Sequence, residues 1–292
     1  MKISFVWQGV TERFDHWNDG LREAMRLIEK EHEVVYNEPW DDIQADVAFY
    51  WEAPCTINGA NAHHYNRVRS LPIRKHLLFA GGPVQWEWVK GFDHVYVESR
   101  INKEEFDRLG VANSTAFGVN TEIFKPLKVE KIYKTVTHGT CASWKRQWLV
   151  CQAFGKRALV FGQLQETDPR PFDECRKCDA VVLAEQSYEE TNKLLNSAEF
   201  AVNCADFWGG GQRATLEALA CNLDVVVMDD SPKNREYIEE SGCGVISSPE
   251  PEAIKRAIYS LDEKQRNHRK GREYVLSKWT PAHYKNALLN AL

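Results

Sequence analysis

Phe200-Ala201-Val202-Asn203-Cys204-Ala205-Asp206-Phe207-Trp208-Gly209-Gly210-Gly211-Gln212-Arg213-Ala214-Thr215-Leu216-Glu217-Ala218-Leu219-Ala220-Cys221 runs from an apolar strand through three consecutive glycines into a helix. Three glycines let a backbone come close to a ligand. The unpaired N–H groups of the helix's first turn, with the helix dipole, favour an anion such as a diphosphate. Glu217 is an acid in an otherwise apolar run, Leu216, Ala218, Leu219 and Ala220. Turned into a cleft, it can accept a pair of hydrogen bonds from ribose hydroxyls. The same residues also fit a glycine turn that merely packs tightly, with Glu217 on a solvated face. On these residues alone the two readings stand level.

Working outward, short β-rich runs alternate with amphipathic stretches, the pattern of open parallel sheets with helices on both faces. Before residue 120 the strand candidates are Ile3–Trp7, His32–Tyr36, Val47–Trp51, His76–Phe79 and His94–Glu98, with helices at Asn18–Lys30 and Asn102–Leu109. Phe117-Gly118-Val119-Asn120-Thr121-Glu122-Ile123-Phe124-Lys125-Pro126 breaks the rhythm as a turn-rich linker. Beyond it come strands Lys134–His138, Ala158–Gly162, Ala180–Leu183, Phe200–Cys204 and Asp224–Met228. Helices are expected at Lys145–Phe154, Ser187–Ser197, Gln212–Cys221, Pro251–Leu261 and His283–Leu292. The expected fold is α/β: two doubly wound Rossmann-like domains facing a cleft, with ligands beyond the carboxyl ends of the strands. The expected boundaries are 1–125, 126–275 and a crossover helix, 276–292, returning to the first domain.

Composition sets the limits. The 292 residues are 43% hydrophobic and 27% charged, with net charge −5, as in a globular chain. Apolar runs such as Val225–Met228 fall far short of a bilayer span. The first residues lack the apolar core of a secretory signal, so the expected location is cytoplasmic. Eight cysteines sit mostly singly in apolar surroundings and read as buried free thiols. Cys175-Arg176-Lys177-Cys178 lacks the second pair that a structural zinc site wants, and no metal is expected. Residues 1–125 carry 14 Lys/Arg against 19 Asp/Glu and residues 126–292 carry 23 against 23. The whole negative balance therefore belongs to the first half, which disfavours bulk duplex binding. Arg67, Arg69, Arg74, Lys75 and His76 form a local basic cluster, read as solvated surface.

The second half resembles the donor-binding domain of family 4 (group 1) glycosyltransferases of the GT-B fold. The linker Gly118–Pro126 resembles that family's Gly-Val-Asp-x-x-x-Phe-x-Pro segment. Gly139 through Lys145 to Gln152-Ala153-Phe154 resembles its Gly-Arg-x-x-x-x-Lys-Gly…Ala-Phe element. Ser187–Leu195 with Ala198-Glu199-Phe200 resembles its helix and following strand, and Leu216–Cys221 with Asp224–Val227 its Leu-Glu-Ala-x-Ala-x-Gly-x-Pro-Val block. Glu236-Tyr237-Ile238, Gly242–Ile246 and Trp279 continue the series, in order, over some 170 residues.

The resemblance implies roles. Lys145, Glu217 and Arg146 become the catalytic set: Glu217 on the donor's ribose hydroxyls, Lys145 neutralising the departing diphosphate, and Arg146 standing in for an arginine that the family places at the position of Thr140. Gly139, Thr140, Leu183, Gly209, Gly210 and Gly211 would line the donor site. The family's second glutamate, eight residues before Glu217, is here Gly209, so sugar contacts fall to Asp206, Gln212 or Arg213. The expected activity is transfer of a hexose from a nucleoside-diphosphate sugar, with UDP-glucose the first guess, to a hydroxyl acceptor with retention and no required cofactor. The acceptor is a glycan, a small molecule or a hydroxymethylated nucleobase. On the first domain, Gly9, His16 and Glu52 are acceptor-side candidates, and six of ten tryptophans lie there as stacking faces or as packing. Two rivals stand beside this reading: a non-catalytic sugar-nucleotide-binding protein, which the missing upstream glutamate favours, and a GT-B-like epimerase or hydrolase, which would share the donor site but need no acceptor cleft.

Overall fold

The structure, a computed structural model, describes residues 1–6, 19–39, 42–51, 67–79, 89–164, 169–207, 212–263 and 268–292. The chain divides into one unit of Met1–Gly118 with Pro281–Leu292 and a second of Val119–Thr280. Each is built on a parallel six-stranded sheet.

In the first unit the strands are β1 (Lys2–Val6), β2 (Glu33–Tyr36), β3 (Val47–Trp51), β4 (Arg74–Phe79), β5 (His94–Val97) and β6 (Asn113–Thr115), in the order β2-β1-β3-β4-β5-β6. Register places Tyr36, Phe5, Phe49, His76 and His94 side by side across five strands. Their rings touch in sequence: Phe5 and Phe49 stack at 5.0 Å, and Phe49 meets His76 at 5.1 Å. Cross-strand aromatic pairs of this kind stabilise a sheet beyond their area alone. Helix Gly20–Glu29 starts at Asp19, whose Oδ1 accepts from the Arg22 N–H at 2.8 Å, and buries Leu21, Ala24, Met25 and Ile28. The C-terminal helix Pro281–Asn290 returns to this unit and packs on helix Gly20–Glu29. There the Tyr96 hydroxyl donates to the Leu288 carbonyl at 2.7 Å, and Lys285 pairs with Glu31.

The expected basic surface cluster is not one surface. Lys75 is 8% exposed and His76 1%. Lys75 spends its ammonium on the carbonyls of Leu71 and Ile73, and His76 belongs to the aromatic row. Only Arg74 of β4 is exposed and every residue from Lys75 to Phe79 is buried, because a central parallel strand is covered on both faces.

In the second unit β7 (Tyr133–His138), β8 (Ala158–Phe161), β9 (Val181–Leu183), β10 (Ala198–Asn203), β11 (Val225–Met228) and β12 (Gly244–Ser247) lie in the order β12-β11-β10-β7-β8-β9. The chain winds outward from β7 through β8 and β9, then restarts on the other side of β7 with β10. The winding therefore reverses between β7 and β10, where open α/β sheets bind ligands. Elements that periodicity did not announce are β6, β12 and helices Arg170–Lys177, Pro232–Ser241 and His268–Lys278. The helix expected at Lys145–Phe154 begins at Trp148, because Ser143–Lys145 is a 3-10 turn and Arg146 is left-handed at φ +47°. The linker is tied to this second unit. Val119 N–H donates to Trp279 O at 2.8 Å, Leu127 N–H to Asn196 Oδ1 at 2.8 Å, and the Arg272 guanidinium to the carbonyls of Thr121, Phe124 and Ala220.

The tips of β7 and β8 meet backbone to backbone. Gly139 N–H donates to Phe161 O at 3.1 Å, and a Cβ on Gly162, at φ +148°, would stand 2.0 Å from the Gly139 carbonyl oxygen. No helix among the described residues is long and apolar enough to cross a membrane.

Two outcomes are expected. Gly162→Ala forces a left-hand-side φ and a backbone overlap together, and should cost about 2 kcal/mol or more in a urea titration. Burial depresses His76 to a pKa of about 4 from 6.5, so the unfolded chain takes up its proton first as pH falls. Stability is therefore complete above pH 6.5 and declines toward pH 4, by on the order of 3 kcal/mol from this residue. Urea midpoints across that range should fall more steeply in the parent than in His76→Asn.

Candidate functional site at the second sheet's switch point

The strand ends at the reversal carry polar side chains. β7 ends in His138 and β10 in Asn203, with Val136 and Val202 buried behind them. Helix Gln212–Ala220 follows β10 and turns two faces inward. Leu216 and Leu219 are fully buried. Thr215 belongs to a buried polar network: Asn203 Nδ2 donates to Thr215 Oγ1 at 2.9 Å, Thr215 Oγ1 to Asn234 Oδ1 at 2.8 Å, and Asn234 Nδ2 to Ser231 Oγ at 2.9 Å. Asn203 Oδ1 also accepts from the Ala205 N–H at 3.1 Å. These bonds fix the end of β10, the start of helix Pro232–Ser241 and the helix that carries Glu217 as one piece, as satisfied buried networks do.

Glu217 is turned inward, its side chain 6% exposed, and its Oε2 lies 2.8 Å from His138 Nε2. The His138 side chain, 8% exposed, stacks on Phe161 at 5.4 Å with an interplanar angle of 22°. An acid so placed needs a hydrogen-bonding partner to offset its desolvation, and the end of β7 supplies one. The solvated-face alternative for Glu217 is therefore not what the fold adopts.

Lys145 closes the 3-10 turn Ser143–Lys145 and is half-buried. This turn is joined to the strand–glycine segment by the Asp206 N–H, which donates to the Trp144 carbonyl at 3.0 Å. Arg146 extends its guanidinium to both Asp230 oxygens at 2.7 Å and to the Cys204 carbonyl at 2.8 Å. That hydrogen-bonded guanidinium holds the Asp230 carboxyl below the usual carboxylate range. Thr140 engages through its backbone, its carbonyl accepting from Gln147 Nε2 at 2.9 Å. Gly139, at φ +109°, has open space where a Cβ would stand. Leu183 closes β9 half-buried, and Arg213 and Asp206 are half-buried beside the glycine segment. Gly209, Gly210 and Gly211, the Gln212 side chain, Gly9, His16 and Glu52 lie outside the described residues.

Cys204, the residue after β10, is buried, and that burial pushes its thiol up to about 12. The cysteines among the described residues are all free, and no cluster of three His, Cys, Asp or Glu there fits a metal ion. Sequence reasoning missed His138, Asn203, Thr215, Asn234 and Asp230. The only available signal was the rule that polar residues ending the strands on either side of a reversal share one site.

By sequence, no family model matches the chain and no curated protein is found similar to it. By structure it is similar to sucrose-phosphate synthase from Thermosynechococcus elongatus, at 12% identity and TM-score 0.77 over 99% of this chain and 98% of the other. It is also similar to AviGT4, a glycosyltransferase involved in avilamycin A biosynthesis, at 16% identity and TM-score 0.71 over 100% and 96% of the two chains. A third similar structure is Anabaena HepE in complex with UDP and glucose, at 13% identity and TM-score 0.71 over 99% and 98%. These likenesses extend over both units and the returning C-terminal helix, and the chain has the two-domain α/β fold of the GT-B glycosyltransferases.

Proposed function

We propose that the protein is a retaining hexosyltransferase of the family 4 type that uses a nucleoside-diphosphate sugar, with UDP-glucose as the first donor to test. The observation that carries this reading is the inward carboxylate of Glu217, held at the reversal between β7 and β10 by a residue of the neighbouring strand. A buried acid beside a glycine-rich turn suits a ribose diol next to a diphosphate, and HepE, similar in fold over almost the whole chain, was solved with UDP and glucose.

In this reading Glu217 accepts the ribose hydroxyls. The triple glycine offers backbone N–H groups to the phosphates, Gly139 lines the donor site with no side chain in the way, and Leu183 lies toward the base. The bond from the sugar's C1 to the diphosphate oxygen breaks as the acceptor oxygen bonds to C1 on the same face. The acceptor's proton passes to the departing phosphate, and Lys145 offsets the charge that gathers there. Arg146, bound to Asp230 and the Cys204 carbonyl, serves by fixing the turn that presents Lys145. Asp206, Gln212 and Arg213 are the candidates for holding the hexose. The acceptor is a glycan or a small molecule. A modified DNA base fits less well, because Lys75 and His76 are withdrawn from the surface cluster that would have met the backbone. Gly9, His16 and Glu52 stand as acceptor-side candidates, and the protein is proposed to work in the cytoplasm without a metal.

Gly209, where the resemblance places a sugar-contacting glutamate, favours one second reading, a protein that binds the donor without turning it over. UDP release from UDP-glucose over a panel of hydroxyl acceptors separates the two. Release without acceptor points instead to a hydrolase, and formation of an epimer to an epimerase.

The donor site is tested by thermal shift with UDP, ADP and GDP. A ligand at a hundred times its Kd stabilises by about 2.7 kcal/mol, so UDP should raise Tm by several degrees. Glu217→Ala and Lys145→Ala should each remove most of that rise. A parent that no nucleoside diphosphate stabilises has no such site.

A further inference from the structure

His138 is the one side chain that the described residues place against Glu217, and nothing in the reading above gives it a task. Three features define its position. It is the last residue of β7, on one side of the reversal, while Glu217 comes from the helix that follows β10 on the other. Its ring is fixed by the stack on Phe161, so little rotamer freedom remains to be lost on contact. Its Nε2 and the Glu217 Oε2, both on side chains more than nine-tenths buried, are 2.8 Å apart.

Where the Glu217 carboxylate is ionised it only accepts hydrogen bonds, and the imidazole bonded to it is then the donor, with its hydrogen on Nε2. A carboxylate has two oxygens. With Oε2 bound to the histidine, its plane is set and Oε1 becomes the oxygen left for an incoming hydroxyl pair. We propose that His138 is a positioning residue for nucleotide recognition: by donating from Nε2 to Glu217 Oε2 it aims Oε1 at the ribose of a ribonucleoside diphosphate, and so makes the site selective for ribose over 2′-deoxyribose. This rests on the ribose role of Glu217 proposed above and adds to it a second residue and a measurable discrimination.

The alternative role is packing, in which His138 only fills space beside Phe161. The two differ in what must be retained. Packing needs a ring, and positioning needs a hydrogen-bond donor at the Nε2 point. His138→Phe keeps the ring and loses the donor, whereas His138→Gln loses the ring and can return an amide N–H to the same point.

The test is calorimetric titration of the full chain with UDP and with 2′-deoxy-UDP. Hydrogen bonds to charged groups correspond to about tenfold to a hundredfold in affinity, and the parent should prefer UDP by that factor. Glu217→Ala should abolish the preference. His138→Phe should reduce it to within about threefold of unity, and His138→Gln should retain most of it. Circular dichroism melts show which variants are folded. If His138→Phe does not fold, His138→Asn, whose shorter amide falls short of Oε2, takes its place with the same expected loss.

A preference that persists in the donor-free variant while Glu217→Ala removes it overturns the positioning role and leaves the ribose role standing. Loss of the preference in His138→Gln as well as His138→Phe overturns it too. A parent that binds UDP and 2′-deoxy-UDP equally, or binds neither, overturns both proposals together.

Discussion

A carboxylate withdrawn from water must be met by a donor, and the second unit is arranged around one such meeting. Glu217 lies on the helix after β10, and its partner His138 ends β7, the adjacent strand of opposite winding direction. Removing one partner of a buried hydrogen-bonded pair typically costs more than the pair contributes, because the other is left unsatisfied. The pair therefore ties the two halves of the doubly wound sheet at the point where their connections diverge. The Asn203–Thr215–Asn234–Ser231 chain of bonds does the same one layer away. The carboxylate proposed to receive a ribose is thus on an element held from two sides.

The two units solve the problem of a rigid sheet differently. The first places a row of rings, Tyr36, Phe5, Phe49, His76 and His94, at matching register across five strands. The Tyr96 hydroxyl, 3.1 Å from His76 Nδ1, fastens the returning helix through the Leu288 carbonyl. The second has valine-rich strands such as β11 and a network of amides and hydroxyls around the end of β10. Stacked rings tolerate an adjacent helix from elsewhere in the chain, since most of their contact is not directional. Amide networks specify position sharply, which suits the unit in which the Glu217 carboxylate is proposed to meet a ligand.

Much of this was legible in the sequence, and the failures have physical reasons. Strands such as Val47–Trp51 and Val225–Met228 announce themselves because buried parallel strands are nearly uniform apolar runs. β6, Asn-Ser-Thr, is an edge strand without such a run. Helix Pro232–Ser241 buries Lys233, Asn234 and Glu236 along with Tyr237 and Ile238, so its inward face is not marked by hydrophobicity. Glu217 could be singled out as an acid in an apolar helix, but its direction could not, because nothing local distinguishes a solvated acid from a buried one. That depended on His138, seventy-nine residues earlier in the chain, a separation at which sequence alone gives no pairing. Arg146 illustrates the same limit. Its charge was visible, while its left-handed backbone and its grip on Asp230 required the fold.

The low identity to similar structures, 12–16% for the three compared, follows from where the constraints lie. Gly162 is needed because its backbone touches that of Gly139 at the tips of β7 and β8, Gly139 because its φ is +109°, and Gly244 because a Cβ there would stand 2.0 Å from the Val225 carbonyl oxygen. The linker is held through the Thr121 and Phe124 carbonyls, which accept from Arg272, and through the side-chain amide oxygens of Asn192 and Asn196, which accept from the Lys125 and Leu127 N–H groups. Each of these depends on a few residues and on main-chain geometry, whereas the strand interiors ask only for apolar volume, which many sequences supply. Such a fold can lose nearly all resemblance in sequence and still keep its winding. In this chain such constraints fall on the glycines at close approaches, the bonded linker and the acid on the helix after β10. At the switch point backbone approach, side-chain charge and direction must all agree, which leaves its residues less room for exchange than the strand interiors have.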